Sequence, residues 1–188
     1  MAFYLTAMEK RGPWEVKKHT SVYKNPWTEV FHDDVIRPDG KPGIFGYVRF
    51  KGGVSILPID DDGNAYLIEE FYYAMNKQTI LACCGGKEPD EAPLECAKRE
   101  LHEELGIEAE EWAHLGTIDP MSPLVDSPQN LFLARKLSFH NHHREGTEVI
   151  KPIKMKFEEA VKKVMDGSIN ESFTCLIILK AQEYLRTH

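Results

Sequence analysis

Residues 85–107, "GGKEPDEAPLECAKRELHEELGI", place five glutamates (91, 95, 100, 103 and 104) within fourteen positions. Like charges three or four apart on a helix repel by roughly 0.2–0.5 kcal/mol per exposed pair. On a helix Glu100 and Glu104 lie one turn apart, and Glu100 also neighbours Glu103. Converging carboxylate oxygens suit a hard divalent cation such as Mg²⁺ or Mn²⁺. Such an ion reverses the sign of the interaction, since opposite unit charges about 4 Å apart attract by about 4 kcal/mol at an effective dielectric of 20. The competing reading is a solvated acidic face neutralised by Lys98 and Arg99, and spacing alone leaves both open.

The element carrying these acids is well marked. Leu94, Ala97, Leu101 and Leu105 recur at helical spacing, Pro93 suits a first helical position, Glu95 sits at the positive end of the helix dipole, and Gly106 is a natural C-cap. The pattern predicts a helix over 93–105, reached through the tight Gly85-Gly86 turn. Upstream, "HTSVYKN", "WTEVFHDDVIRP" and "GIFGYVRF" read as an N-terminal meander broken at Asn25-Pro26 and Pro38-Asp39-Gly40. "GVSILPID" and "AYLIEEFYY", flanking "DDDGN", read as a largely buried hairpin, and "TILACCGG" as one further extended segment. Downstream come a short strand near "WAHLGTID", the loop "PMSPLVDSP", the strand "NLFLARKLSF", a histidine-rich loop and a strand around "EVIKPIKM". Two helices joined at Asp166-Gly167-Ser168 follow. The fold class is α/β, a sandwich with a mixed sheet behind a sheet-forming N-terminal extension.

The chain has 188 residues, 42% hydrophobic and 28% charged, as expected of one globular domain with at most a small appended element. A net charge of −7 argues against general nucleic-acid binding, so any phosphate must be held locally or through a metal. No apolar run approaches the roughly 20 residues of a membrane span, and the first residues lack the apolar core of a signal peptide, which places the expected location in the cytoplasm. Cys83, Cys84, Cys96 and Cys175 show no C-x-x-C spacing and read as free thiols. His140, His142 and His143 lack a companion cysteine or an H-x-x-x-H pattern and read as a solvated loop rather than a zinc site.

The acidic stretch resembles the Nudix box: a glycine, five residues, a glutamate, seven residues, Arg-Glu, an aliphatic residue, any residue, Glu-Glu, any residue, a glycine and an aliphatic residue. Gly85, Glu91, Arg99, Glu100, Leu101, Glu103, Glu104, Gly106 and Ile107 meet every fixed position. The resemblance implies the Nudix α/β/α sandwich with a mixed sheet. It further implies that Glu100 and Glu104 are principal metal ligands, the Cys84 carbonyl another, Glu103 a ligand or base, and Arg99 an orienting partner. Gly85 and Glu91 would stabilise the loop. Metal-assisted water attack on a nucleoside diphosphate follows, for which Mg²⁺, or Mn²⁺, would neutralise phosphoryl oxygens and activate the water.

Beyond the box, roughly residues 17–186 look like the ADP-ribose and nucleoside-diphosphate-sugar pyrophosphatase branch. Pro123, sixteen positions after Ile107, matches a marker of ADP-ribose hydrolases. In that branch residues 1–50 would be a β extension serving homodimerisation, and 51–188 the catalytic domain. A glutamate in a loop before the last strand would act as base, which points to Glu148 or Glu145, with Glu103 as the alternative. Trp27 would stack on the nucleobase or serve as a core or dimer contact, and Arg49 would meet a phosphate. Tyr72 and Leu81 stand where the branch carries an arginine and a glutamate, and Leu124 replaces a glycine, so substrate recognition at these positions has changed. The expected partner is a nucleoside diphosphate sugar. Alternative readings are hydrolysis of dinucleoside polyphosphates or RNA 5′ ends, and a non-catalytic nucleotide-sugar sensor.

Overall fold

The computed structural model describes residues 9–140 and 150–188, which fold as two compact units. Of the described residues, the first takes 9–51 with 121–127, and the second 52–120 with 128–140 and 150–188. The segment 121–127 thus belongs with the N-terminal sheet.

In the first unit β1 (Glu9–Arg11), β2 (Trp14–Lys24), β3 (Thr28–Ile36) and β4 (Pro42–Phe50) form an antiparallel meander, and β10 (Val125–Asp126) adds to β4 in parallel. Its turns follow from local chemistry. The Asn25 side-chain oxygen accepts the amides of Trp27 at 2.9 Å and Thr28 at 2.7 Å, and Gly40 takes the left-handed conformation (φ 78°) that closes the β3–β4 turn. Val16, Phe31 and Val35 are buried, and the Phe31 ring stacks on both His19 and Tyr47, which also contact each other.

The second unit contains β5 (Gly53–Pro58), β6 (Asn64–Tyr72), β7 (Lys77–Leu81), β8 (Cys83–Gly86), α1 (Pro93–Leu105), β9 (Ile107–Ile118), β11 (Gln129–Phe139), β12 (Lys151–Lys156), α2 (Phe157–Met165) and α3 (Ser172–Thr187). One sheet runs β8-β5-β11-β9, with β5 and β11 parallel and the other pairs antiparallel. The other runs β12-β6-β7, antiparallel throughout. Two apolar clusters flank these sheets. Ile56, Ile68, Leu81, Cys83 and Phe132 pack with Cys96, Ala97 and Leu101 of α1, while Leu57, Leu67, Leu131 and Leu133 pack with Phe157 of α2 and Ile177 and Ile178 of α3.

Three local expectations change. Strands β5 and β6 are not a regular hairpin: they belong to different sheets, joined at their base only by the isolated Ile59–Ala65 bridge. Pro58, which has no amide hydrogen, ends β5 just before that bridge, and every β5 residue is buried, so its apolar run serves a central strand rather than a hairpin arm. The segment "TILACCGG" likewise divides into β7 in one sheet and β8 in the other. Ala82 lies at the crossing, where its amide donates to the Thr174 hydroxyl at 2.9 Å in place of a ladder bond. Finally, the strand near "WAHLGTID" is longer than expected, running over Ile107–Ile118 because it pairs with β11 along most of its length.

Candidate active site

The helix α1 occupies the residues its sequence marks. Ala92 precedes it in an extended conformation, Pro93 opens it, and Gly106 closes it at φ 62°, donating its amide to the carbonyls of His102 and Leu101. Cys96, Ala97, Leu101 and Leu105 are buried, which turns the glutamates of the box away from the core. Burying this stripe fixes the rotation of the helix and so the direction of the acids.

Arg99 is the centre of the resulting network. Its Nε donates to Glu91 Oε1 at 2.9 Å, and its Nη2 to Glu91 Oε2 at 3.0 Å, a two-bond clamp. Its Nη1 donates to Glu100 Oε1 at 2.8 Å and Glu103 Oε2 at 3.0 Å, and Nη2 also reaches the Gly86 carbonyl at 3.2 Å. Glu91 in turn accepts the Glu88 amide at 2.9 Å, closing the loop between β8 and α1. The Arg99 clamp and that amide bond pull the Glu91 carboxyl down to about 2. The hydrogen bond to Glu91 is also the main reason the Arg99 guanidinium is raised.

Glu100 and Glu104 face the β8 turn. The Glu100 carboxylate lies where a side chain on Gly85 would be: a β-carbon there would overlap it. Burial raises the Glu100 carboxyl above its ordinary value, against the opposing bond from Arg99. Glu104 accepts the Cys84 amide at 3.3 Å. Glu103 differs, with its side chain 56% exposed against 13% for Glu100. Burial holds Cys83 and Cys84 as thiols, with Glu104 adding to the effect, and pushes Cys96 up to about 12. These cysteines pack the turn as neutral groups.

Among the described residues, no three His, Cys, Asp or Glu side chains are already drawn together as a metal cage. Arg99 engages one oxygen each of Glu100 and Glu103. The donors nonetheless have the chemistry of a hard-cation site: two carboxylates on one helix face beside a side-chain-free backbone turn.

The remaining site candidates separate by unit. Glu145 and Glu148 lie outside the described residues. Tyr72, in the second unit, is half-buried at the end of β6 against the cluster beneath α1, and burial raises its phenol. Leu81 is fully buried in that cluster, so an apolar contact occupies this position. Arg49 and Pro123, in the first unit, line one cavity of about 460 Å³ together with Arg11, Trp14, Tyr47 and Asp126. There Arg49 Nε donates to Asp126 at 2.8 Å, and its guanidinium lies 4.9 Å from the Phe31 ring centroid. Trp27 is 71% exposed at the β2–β3 turn and is not part of that cavity's lining. Sequence reasoning missed Arg11 and the buried Asp33, whose carboxylate meets His19 Nδ1 at 2.6 Å. Nothing in their spacing marks them, because strand pairing alone brings them together.

Residues 14–48 match the nucleoside diphosphate sugar hydrolase N-terminal domain, and residues 49–171 match the NUDIX domain. The chain is 24% identical over 159 residues to the ADP-ribose pyrophosphatase of Bacillus subtilis, covering 84% of this chain and 86% of that protein. It is 27% identical over 167 residues to the CMP-5'-(N-acetyl-N-hydroxy-3-aminopropyl)phosphonate hydrolase of Streptomyces rubellomurinus, covering 88% and 81%. A crystal structure of an ADP compounds hydrolase superposes with a TM-score of 0.82 at 18% identity, covering 95% of this chain and 97% of the other, and so shares its fold. The chain belongs to the Nudix family of pyrophosphohydrolases, with a nucleoside-diphosphate-sugar-hydrolase N-terminal domain preceding the Nudix domain.

Proposed function

We propose that this enzyme hydrolyses the diphosphate bond of ADP-ribose or a related nucleoside diphosphate sugar, giving a nucleoside monophosphate and a sugar phosphate. The observation that carries the reading is the placement of Glu100 and Glu104 against the Cys84–Gly85 turn, with Arg99 and Glu91 bracing the loop. The N-terminal domain match and the ADP-ribose pyrophosphatase relative support the substrate class. A relative named for a CMP-linked substrate leaves the nucleobase open.

In this mechanism Glu100 and Glu104, with the Cys84 carbonyl, would hold Mg²⁺ (or Mn²⁺), and Glu103 would serve as a further ligand. When bound, the metal neutralises nonbridging oxygens and lowers the pKa of the attacking water. Arg99 orients Glu100 and Glu103 through its paired Nη1 bonds and holds the loop through Glu91. Glu148 is the proposed base, with Glu145 and Glu103 as alternatives. The first unit is the proposed dimerisation element, consistent with the exposed apolar side chains of Trp27, Ile44 and Phe50. Arg49, Pro123 and Trp27 would supply substrate contacts from it. No described helix is long and apolar enough to cross a membrane, and free cysteines suit the reducing cytoplasm proposed for it.

Incubation with Mg²⁺ and a panel of ADP-ribose, other nucleotide sugars, dinucleoside polyphosphates and triphosphorylated or capped RNA, with products resolved, tests the reading. Nucleotide sugars should be turned over in preference to the rest. Preferred cleavage of dinucleoside polyphosphates or RNA would replace the substrate assignment.

A further inference from the structure

The elements beside Glu104 carry further acids, Glu70 on β6 and Glu171 at the start of α3. Glu104 accepts the Cys84 amide at 3.3 Å, Glu70 shares the Tyr72 face of β6 two positions away, and Glu171, the N-cap of α3, follows directly on Asn170. Carboxylates from β6, α1 and the N-cap of α3 thus flank Tyr72, which contributes a neutral phenol. A diphosphate adds further negative charge. Cations held by Glu100 and Glu104 would meet part of it, and a cationic donor beside Tyr72 would meet phosphoryl oxygens on that side.

Strand register supplies one. Tyr72 pairs directly with Lys77 across β6 and β7, and Ile68 pairs with Leu81. Directly opposed residues of an antiparallel pair project from the same face, and alternate residues along a strand share it. Ile68 and Leu81 lie in the cluster beneath α1, with Tyr72 packed against it, so Lys77 rises from the face that bears the acids. Lys77 is exposed, and its ammonium donates at 3.3 Å to the side-chain oxygen of Asn170, a neutral acceptor next to Glu171. The carboxylate of Glu171 is itself engaged as the N-cap of α3, accepting the amides of Phe173 at 3.1 Å and Thr174 at 2.8 Å. A long bond to a neutral amide is readily exchanged for a shorter, charge-assisted bond to a phosphoryl oxygen.

We propose that Lys77 is a substrate-binding residue, its ammonium leaving Asn170 to meet a phosphoryl oxygen of the nucleoside diphosphate beside Tyr72. This rests on the function proposed above. Lysine suits the role as a point charge on a flexible stem, able to reach over Tyr72 from the neighbouring strand.

The test compares the full-length wild type, Lys77→Met, Lys77→Gln and Lys77→Arg with ADP-ribose and Mg²⁺, with thermal melts showing that each is folded. Both neutral variants should raise KM roughly tenfold with kcat little changed, as expected for loss of a charge-assisted bond, and arginine should restore most of the affinity. An unchanged KM in both neutral variants, or an arginine variant no better than methionine, overturns the assignment. If the wild type turns over no nucleotide sugar, the proposed function fails on its own terms. Calorimetric ADP-ribose binding then decides Lys77: a weaker Kd in the neutral variants upholds it, and an equal Kd overturns it.

Discussion

Gly85→Ala isolates the close approach at the heart of the site. The backbone of Gly85 does not require the left-handed region, since it is not among the glycines of positive φ, so an alanine there meets no conformational penalty. Its β-carbon would instead overlap the Glu100 carboxylate, and the carboxylate must move. Moving it breaks the 2.8 Å bond from Arg99 Nη1, a hydrogen bond between charged groups of the kind that contributes about 1.5–3 kcal/mol. Arg99 is about a third exposed (32%), and the glutamate is the flexible end of a side chain, so screening and relaxation bring the expected stability loss to about 1 kcal/mol.

The functional loss should be larger. Displacing a carboxylate from a metal site is comparable to losing the group that orients a ligand, which costs about 10–100-fold in metal affinity. The assay is a double-mutant cycle of Gly85→Ala and Glu100→Ala, with denaturant unfolding and the Mg²⁺ concentration for half-maximal activity as readouts. Alanine at 85 should destabilise the protein when Glu100 is present and be nearly neutral when Glu100 is alanine, because the overlap is gone. The single Gly85→Ala variant should need more Mg²⁺. An equal stability effect in both backgrounds, or an unchanged Mg²⁺ requirement in the single variant, would refute the argument that Gly85 exists to make room for the carboxylate.

Further outcomes follow from the same geometry. Glu104→Gln should retain the wild-type melting temperature while losing most Mg²⁺-dependent turnover; substantial activity at saturating Mg²⁺ would remove Glu104 from the ligand set. Glu91, lowered from an ordinary value of 4.5 to about 2 in the fold, contributes stability that is fully present above pH 4.5 and is lost as pH falls through about 2. Glu91→Gln should therefore flatten that part of the acid-unfolding curve, as followed by circular dichroism. Leu101, fully buried on the inner face of α1, should cost about 2–5 kcal/mol when replaced by alanine, measured by denaturant unfolding. Glu148→Gln should lower kcat far more than it changes KM, and an unchanged kcat would move the role of base to Glu103.

The helix that carries the candidate site was legible because its determinants are local. Pro93, the apolar stripe and Gly106 set the start, rotation and end of α1, and the glutamates follow from that rotation. The strand layout was less legible because burial on both faces erases the period-two signal. The fully buried β5 reads equally well as a hairpin arm or as a central strand, and only the long-range pairing with β11 decides between them. The same limit applies to the groups proposed to meet substrate. Arg49 and Pro123 share a cavity only because β10 adds to β4 from 77 residues away, as the Arg49–Asp126 bond records. Lys77 lies opposite Tyr72 only through the pairing of β6 with β7.

The crowding of acids in the box is offset before any metal is considered. A single guanidinium contacts Glu91, Glu100 and Glu103, so three of the charges that would repel along α1 and its loop are tied to one fixed positive charge. The division is uneven: Glu91 takes both Nε and Nη2, whereas Glu100 and Glu103 share Nη1. The two-bond clamp secures the loop. The shared bond restrains Glu100 and Glu103 while engaging only one oxygen of each, so the same arginine can hold the helix together and still leave carboxylate oxygens for a cation. Lysine at this position would supply the charge without the planar fork, so Glu91 and Glu100 would no longer be held at once.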